Sequence, residues 1–164
     1  MGEHHDTIIV GGGQAGLAMS YHLRQRGREH IVLERHRIAE RWQSERWNSL
    51  HFQYPNWSLR LPGMACAEGD PDGFAHYPRI ARFIENYAST IDAPVRTGVA
   101  VTALRRDSSS GNLEIETASG VVYARHIVIA TGPFQRPLIP APNVAFVDSM
   151  SFQPLRQTMS LECT

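Results

Sequence analysis

The chain has 164 residues, of which 42% are hydrophobic, so its length and apolar content fit one compact domain with a core. Its 16 basic residues are balanced by 16 acidic residues, which gives no indication of a nucleic-acid partner or an anionic membrane surface. No apolar stretch approaches the roughly 20 residues that span a bilayer, and the polar residues 3–6 are unlike a signal peptide, so we expect a cytoplasmic protein.

The amino-terminal part is predicted to form a strand, a helix and a second strand. Residues 7–10 are a compact β-branched run, which is typical of a buried parallel strand. Apolar residues recur at helical spacing over residues 14–26, and Gly27 follows as a helix-terminating glycine. A strand over residues 30–34 completes a βαβ unit of about thirty residues.

A long connection and a β-rich segment follow. Residues 35–77 are broken by proline and glycine and hold all three tryptophans; such a connection is functional or disordered, and its aromatic content favours order. A helix is predicted over 78–89, with Pro78 in its first turn. We expect strands over 95–105, 113–117, 121–124 and 127–130, with a hairpin at 113–124. The fold class predicted is α/β and Rossmann-like, with a central parallel sheet, a β-hairpin or meander, and flanking helices.

The motif that carries chemistry is a glycine-rich turn between the first strand and the first helix. Gly11 permits the tight turn, Gly13 lets a pyrophosphate approach the backbone, and Gly16 lets the helix pack close to the strand. The helix start, with Gln14 and Ala15, offers backbone N–H groups to phosphate charge. A glycine turn in an unrelated α/β domain is the alternative.

A carboxylate stands where a ribose would be bound. Glu34 lies eighteen residues after Gly16, at the end of the second strand, where an acid accepts hydrogen bonds from a ribose diol. An acid there would repel a 2′-phosphate, which disfavours NADP at this site. The motif alone leaves NAD and FAD open. The long aromatic connection, in place of another helix and parallel strand, points toward FAD.

Four stretches carry a resemblance to a known family. The chain is similar to the FAD-binding part of flavoproteins with two dinucleotide-binding domains, and most similar to the flavin-containing monooxygenases and their bacterial relatives. The stretches lie between residues 7 and 140: IIVGGGQAGLAMSYHL, IVLERHRIAERWQSERWNSLHFQYP, HYPRIARFIENYA and IVIATGPFQRPLIP.

The resemblance implies a set of cofactor-binding residues. The glycine turn would hold the FAD pyrophosphate, Glu34 the adenosine ribose, and the basic and aromatic residues after it the flavin side. A strand end near residue 131 would face the ligand, and Val101 would contribute backbone contacts on the adenine side. The alternatives are aromatic side chains that pack a loop and a glycine that ends a strand. The implied residues are Gly11, Gly13, Gln14, Ala15, Gly16, Glu34, Arg35, Arg41, Trp42, Trp47, Val101, Thr131 and Gly132.

The resemblance also implies an activity. Members of the family reduce FAD with NADPH and then form a flavin C4a-peroxide from oxygen, which transfers one oxygen atom to a small molecule. The partners implied are therefore FAD, NADPH, oxygen and a small-molecule substrate, and no catalytic side chain is assigned. His51 and His76 are interpreted as surface or packing residues. The histidines show no metal-ligand spacing, and Cys66 and Cys163 form no paired motif.

The sequence departs from the family after Pro142. Full members continue with a linker fingerprint that contains a histidine and with a second glycine-rich turn for NADPH, and neither follows here. We therefore expect an FAD-binding domain over residues 5–142, a divergent and poorly packed tail over 143–164, no NADPH-binding domain and a truncated chain. The alternatives are a non-catalytic FAD- or nucleotide-binding module and, less favoured, a small NAD-binding protein.

Overall fold

The computed structural model describes residues 3–66, 68–107 and 111–132. The tail predicted over 143–164 and the end of the predicted FAD-binding domain, 133–142, lie outside these residues. The described elements are, in chain order, β1 Glu3–Val10, α1 Gln14–Gln25, β2 His30–Leu33, α2 Glu40–Ser44, a 3₁₀ turn Asn56–Ser58, β3 Arg60–Leu61, β4 Met64–Ala65, α3 Tyr77–Thr90, β5 Val95–Arg96, β6 Val101–Arg106, β7 Leu113–Thr117 and β8 Gly120–Ile129.

A mixed six-stranded sheet organises the described residues. Its strand order is β5-β2-β1-β8-β7-β6. The first four strands run parallel, with Thr7 of β1 opposite both His30 of β2 and His126 of β8. The β8, β7 and β6 strands are antiparallel neighbours and form a meander. This architecture confirms the predicted Rossmann-like α/β fold.

Two hydrophobic cores lie on the two faces of the parallel strands. One core joins α1 to α3 and to the long connection, through residues such as Leu17, Ile80 and Tyr87. The other joins Ile8 and Val10 of β1 and Ile31 and Leu33 of β2 to the meander residues Ile115 and Ala124. Because β7 is three places from β2 in strand order, this second core requires the meander to fold over one face of the parallel strands. Along β1, Ile8 and Val10 thus face the meander, whereas Ile9 faces α1 near Gly16.

Two strand predictions were wrong in their boundaries. The single strand expected over 95–105 is two strands at opposite edges of the sheet: β5 pairs with β2, and β6 pairs with β7. Gly98, with φ +74°, lies between them and breaks the extended backbone. Conversely, the strands expected over 121–124 and 127–130 are one continuous β8, which pairs with β1 along its length and with β7 over its first half.

The two long helices, α1 and α3, follow the predicted pattern closely, whereas the short α2 lies in the connection, where no helix was predicted. The first helix ends at Gln25, and Gly27 follows in the left-handed conformation with its N–H donating to the carbonyl of Arg24. Pro78 occupies the first turn of α3. In the described part of the chain, no helix has the length and apolarity needed to cross a membrane.

Tyr87 couples α3 to the long connection and provides a stability test. Its side chain is fully buried, burial raises its pKa to about 12, and its hydroxyl donates to the carbonyl of Pro62 at 2.9 Å. Tyr87→Phe keeps the ring but removes this hydrogen bond, so we expect the free energy of unfolding in urea to fall by about 1 kcal/mol. The exposed Tyr54→Phe is the control, and equal effects of the two changes would contradict the assignment.

Candidate dinucleotide site

The carboxyl ends of the parallel strands meet at one edge of the sheet. The N–H of Gly11 donates to the carbonyl of Leu33 at 2.8 Å, and the N–H of Ala130 donates to the carbonyl of Val10 at 2.8 Å. These bonds join the ends of β1, β2 and β8. Open parallel sheets bind ligands in the crevice outside such strand ends, so this edge is the first place to test for a ligand site.

Two of the three predicted motif glycines lie where a side chain has no room. A Cβ on Gly11 would meet the Ala130 carbonyl, and a Cβ on Gly16 would meet the Gly11 carbonyl, both at under 3.0 Å. Gly11 also has φ +114°, a conformation that L side chains rarely adopt. These glycines allow the turn and the close packing of α1 on β1 that the motif predicts.

Gly13 differs from both, because it borders open space. A Cβ built there finds nothing within 4 Å among the described residues, and the backbone is extended, with φ −90° and ψ −175°. Gly13 precedes α1 and supplies no capping side chain, while Gln14 and Ala15 are exposed. The first turn of a helix has N–H groups without intrahelical partners. The turn therefore presents donors and positive dipole to an open space, as an anion site requires.

Glu34 is fixed beside this turn. Its Oε2 accepts a hydrogen bond from the N–H of Gly12 at 2.6 Å, and its Oε1 accepts one from the N–H of His36 at 2.9 Å. Its own backbone is held by the carbonyl of Arg96 and the N–H of Val99, both at 2.9 Å. An ionised carboxylate has about four lone-pair sites, so acceptor capacity remains for ligand hydroxyl groups. Arg35, the next residue, is exposed.

The basic and aromatic residues of the connection divide into a packed group and an exposed one. Trp42 packs against the core of α3 and against Phe52, at 6.3 Å between ring centroids, and Arg46 lies 4.8 Å from the Trp42 ring centroid. Arg41 pairs with Glu45 at 3.5 Å. The side chain of Trp47, in contrast, is 57% exposed. Trp42 thus packs against the core, with its predicted flavin contact untested, whereas Trp47 is accessible to a ligand.

The remaining predicted residues lie at the ends of two strands. Thr131 and Gly132 follow Ala130 directly and are exposed, with Gly132 at φ +82°. Val101 begins β6 opposite Thr117 and packs, half-buried, against the core under the meander. Of the predicted site residues, the structure therefore brings the glycine turn, Glu34 and the strand end at Ala130 into direct contact. Trp42 packs, half-buried, against the core of α1 and α3.

Two residues of this edge were missed by the sequence reasoning. Gly12 holds the Glu34 carboxylate, and a Cβ on Gly12 would lie 3.1 Å from the Glu34 Cβ. Ala39 is buried, has φ +58°, and its N–H approaches the carbonyl of Gly12 at 3.5 Å. The run of three glycines was a visible signal for Gly12. A left-handed alanine has no such signal in sequence.

Together, the parallel strands, the glycine turn and the helix start define a protein of the Rossmann-like fold class. The sequence model of the pyridine nucleotide-disulphide oxidoreductase family matches residues 8–157. The chain belongs to this family.

Relatives and solved structures extend this result. An uncharacterized CzcO-like oxidoreductase of Geobacillus kaustophilus strain HTA426 is 37% identical over 147 residues, covering 89% of the chain and 40% of the relative. The probable indole-3-pyruvate monooxygenase YUCCA1 of Arabidopsis thaliana is 32% identical, with 83% of the chain and 33% of the relative covered. A flavin-containing monooxygenase from Stenotrophomonas maltophilia shares the fold, with a TM-score of 0.75, 24% identity and coverage of 85% and 42%. These findings confirm the resemblance to flavin monooxygenases, of whose length the chain spans about two fifths or less.

Proposed function

We propose that the chain binds FAD at the carboxyl edge of its parallel strands and forms the FAD-binding part of an NAD(P)H-using oxidoreductase of the flavin monooxygenase type. The observation that carries this proposal is the open space at Gly13, which directly precedes α1 and directly follows the Gly12 that binds Glu34. A bound pyrophosphate would take the donors of the helix start, and an adenosine ribose would take the remaining acceptor sites of Glu34.

The residues of the chain would bind and orient the cofactor. The Gly11 and Gly16 contacts hold the turn in place, so the donors are arranged before a ligand arrives. Arg41, Trp42 and Trp47 would support the flavin side, Trp42 through packing of the connection and Trp47 by direct contact. Val101, Thr131 and Gly132 would add backbone contacts. Bound FAD would supply hydride acceptance from NADPH and transfer of an oxygen atom to a small-molecule substrate.

The second proposal is a non-catalytic FAD-binding module, since the glycine turn and Glu34 account for holding a nucleotide and no catalytic side chain is assigned among the described residues. Purification of the chain separates the two proposals. A yellow protein that consumes oxygen when NADPH is added supports the oxidoreductase, and a yellow protein without turnover supports the module. A colourless protein that binds NAD and does not take up FAD would contradict both.

The Glu34 carboxylate gives a specific test of the ribose assignment. Glu34→Gln replaces one acceptor oxygen by an NH₂ group, which cannot accept from the Gly12 N–H or from a ribose hydroxyl. We expect FAD affinity to fall about tenfold, which corresponds to ~1.4 kcal/mol, as measured by flavin fluorescence titration. Asp92→Asn is the matched carboxylate-to-amide control, since Asp92 is exposed and pairs with Arg24 at the end of α3. Equal FAD affinities of the two variants would contradict the assignment.

A further inference from the structure

Two histidines outside the dinucleotide site are paired across an isolated antiparallel bridge. The bridge joins His51, in the long connection, to His76, which directly precedes α3. Its hydrogen bonds run from the N–H of Phe52 to the carbonyl of Ala75 at 2.7 Å and from the N–H of Tyr77 to the carbonyl of Leu50 at 3.0 Å. Since these bonds flank the histidine pair, His51 and His76 form a non-hydrogen-bonded pair, the arrangement in which facing side chains are closest.

Hydrogen bonds to backbone carbonyls determine which ring nitrogen carries the proton in each histidine. His51 Nδ1 lies 3.1 Å from the carbonyl oxygen of Ser49, and His76 Nε2 lies 2.6 Å from that of Asn48. A carbonyl oxygen only accepts, so each of these nitrogens carries its proton. In the neutral imidazole the other nitrogen then has a free lone pair. Metal-binding histidines almost always show this pattern, with one nitrogen donating to a carbonyl or carboxylate and the other facing the metal.

The separation of the rings suits one shared metal ion. Their centroids are 5.2 Å apart, and the ring planes are inclined by 43°. An imidazole nitrogen binds zinc at ~2.0–2.1 Å, which puts each ring centre roughly 3.2 Å from the ion, so this separation corresponds to an angle of about 110° at the metal. That angle is close to tetrahedral. Both histidines are exposed, which leaves the other coordination positions to water.

We propose that His51 and His76 form a two-histidine site for a divalent transition metal of the zinc, copper or nickel class, which imidazole ligands favour. The bound ion would link the long connection, through His51, to the start of α3, through His76. No group of three or more metal-ligating side chains occurs among the residues that the structure describes, so this site is of the open, water-completed type. His4 and His5 are adjacent in sequence, but neighbouring residues of a strand point to opposite faces, so these two histidines are not proposed as a metal site. The proposal is independent of FAD binding.

The test is a titration of the full chain, without an affinity tag, with Zn²⁺, and the binding is measured by isothermal titration calorimetry. We expect His51→Gln and His76→Gln each to weaken Zn²⁺ binding at least tenfold, and the exposed His36→Gln to leave it unchanged. Excess Zn²⁺ should also raise the melting temperature of the wild type but not that of the first two variants. Circular dichroism without metal checks that all three variants keep the fold. Undiminished Zn²⁺ binding in His51→Gln or His76→Gln, or an equal loss in His36→Gln, would overturn the proposal.

Discussion

The Gly16→Ala variant is expected to unfold at a much lower urea concentration than the wild-type chain. The added Cβ would meet the carbonyl oxygen of Gly11 at under 3.0 Å and would also crowd the Ile9 side chain at 3.3 Å. The obstacle is backbone, so no rotamer change relieves it, and α1 must move away from β1. Overpacking of a core costs about 1–3 kcal/mol and occasionally more. Because this clash involves the turn itself, we expect a loss of about 3 kcal/mol in the free energy of unfolding.

The matched control is Gly13→Ala, which makes the same chemical change three residues earlier in the chain. The new Cβ there enters open space, and the backbone conformation suits an L residue. We expect stability within about 0.5 kcal/mol of the wild type, as for other substitutions without a packing consequence. If Gly16→Ala unfolds at the same urea concentration as Gly13→Ala, this result would contradict the close packing of α1 on the glycine turn.

The Gly13→Val variant is expected to fold normally and to lose its affinity for FAD. A Cβ at this position meets nothing within 4 Å among the described residues, and a β-branched residue suits the extended backbone there. It fills the space in which we place the pyrophosphate, and it separates the phosphate from the donors at the start of α1. We expect affinity to fall on the order of a hundredfold, about 2.7 kcal/mol. Flavin fluorescence titration measures the affinity, and urea denaturation measures the stability.

The control for this change is Met19→Val, at an exposed position of the same helix. It introduces the same side chain away from the strand ends, and we expect FAD affinity to stay at the wild-type level. A folded Gly13→Val protein that retains full flavin affinity would refute the placement of the pyrophosphate. A Gly13→Val protein that fails to fold would instead show that the space at Gly13 is not open.

Sequence reasoning located the elements whose signals are local. The glycine spacing, the β-branched run before it and the acid after the second strand predicted the turn, the helix and the position of Glu34, because each depends on residues near in sequence. The strands that were mispredicted depend on distant pairing. Residues 95–105 have a nearly continuous strand pattern; Gly98 breaks it locally, but the placement of the two halves at opposite edges of the sheet depends on their pairing with β2 and β7. In β8, Arg125 and His126 interrupt the apolar pattern but stay in the strand, since both are exposed.

The glycine turn of the candidate site was predictable from the sequence, whereas the contacts of Ala39, Trp42 and Trp47 around it were less so. The roles of Gly11 and Gly16 in close packing follow from the motif and agree with the contacts of the structure. The link from Ala39 to Gly12 depends on a left-handed alanine, which composition does not signal. Trp42 and Trp47 have the same residue type in the same segment, and only tertiary packing makes one half-buried and the other exposed. The flavin contacts expected of both tryptophans stay a prediction.

The most direct test of FAD binding is a titration of the purified wild-type chain with FAD, in which binding is measured from the visible difference spectrum of the flavin. A cofactor that leaves water for a protein site changes its absorbance bands, and the change saturates when the site is filled. We expect a saturable difference spectrum with one FAD per chain. A difference spectrum that stays flat under conditions in which the same protein is folded and binds NAD would contradict the assignment of this edge to FAD.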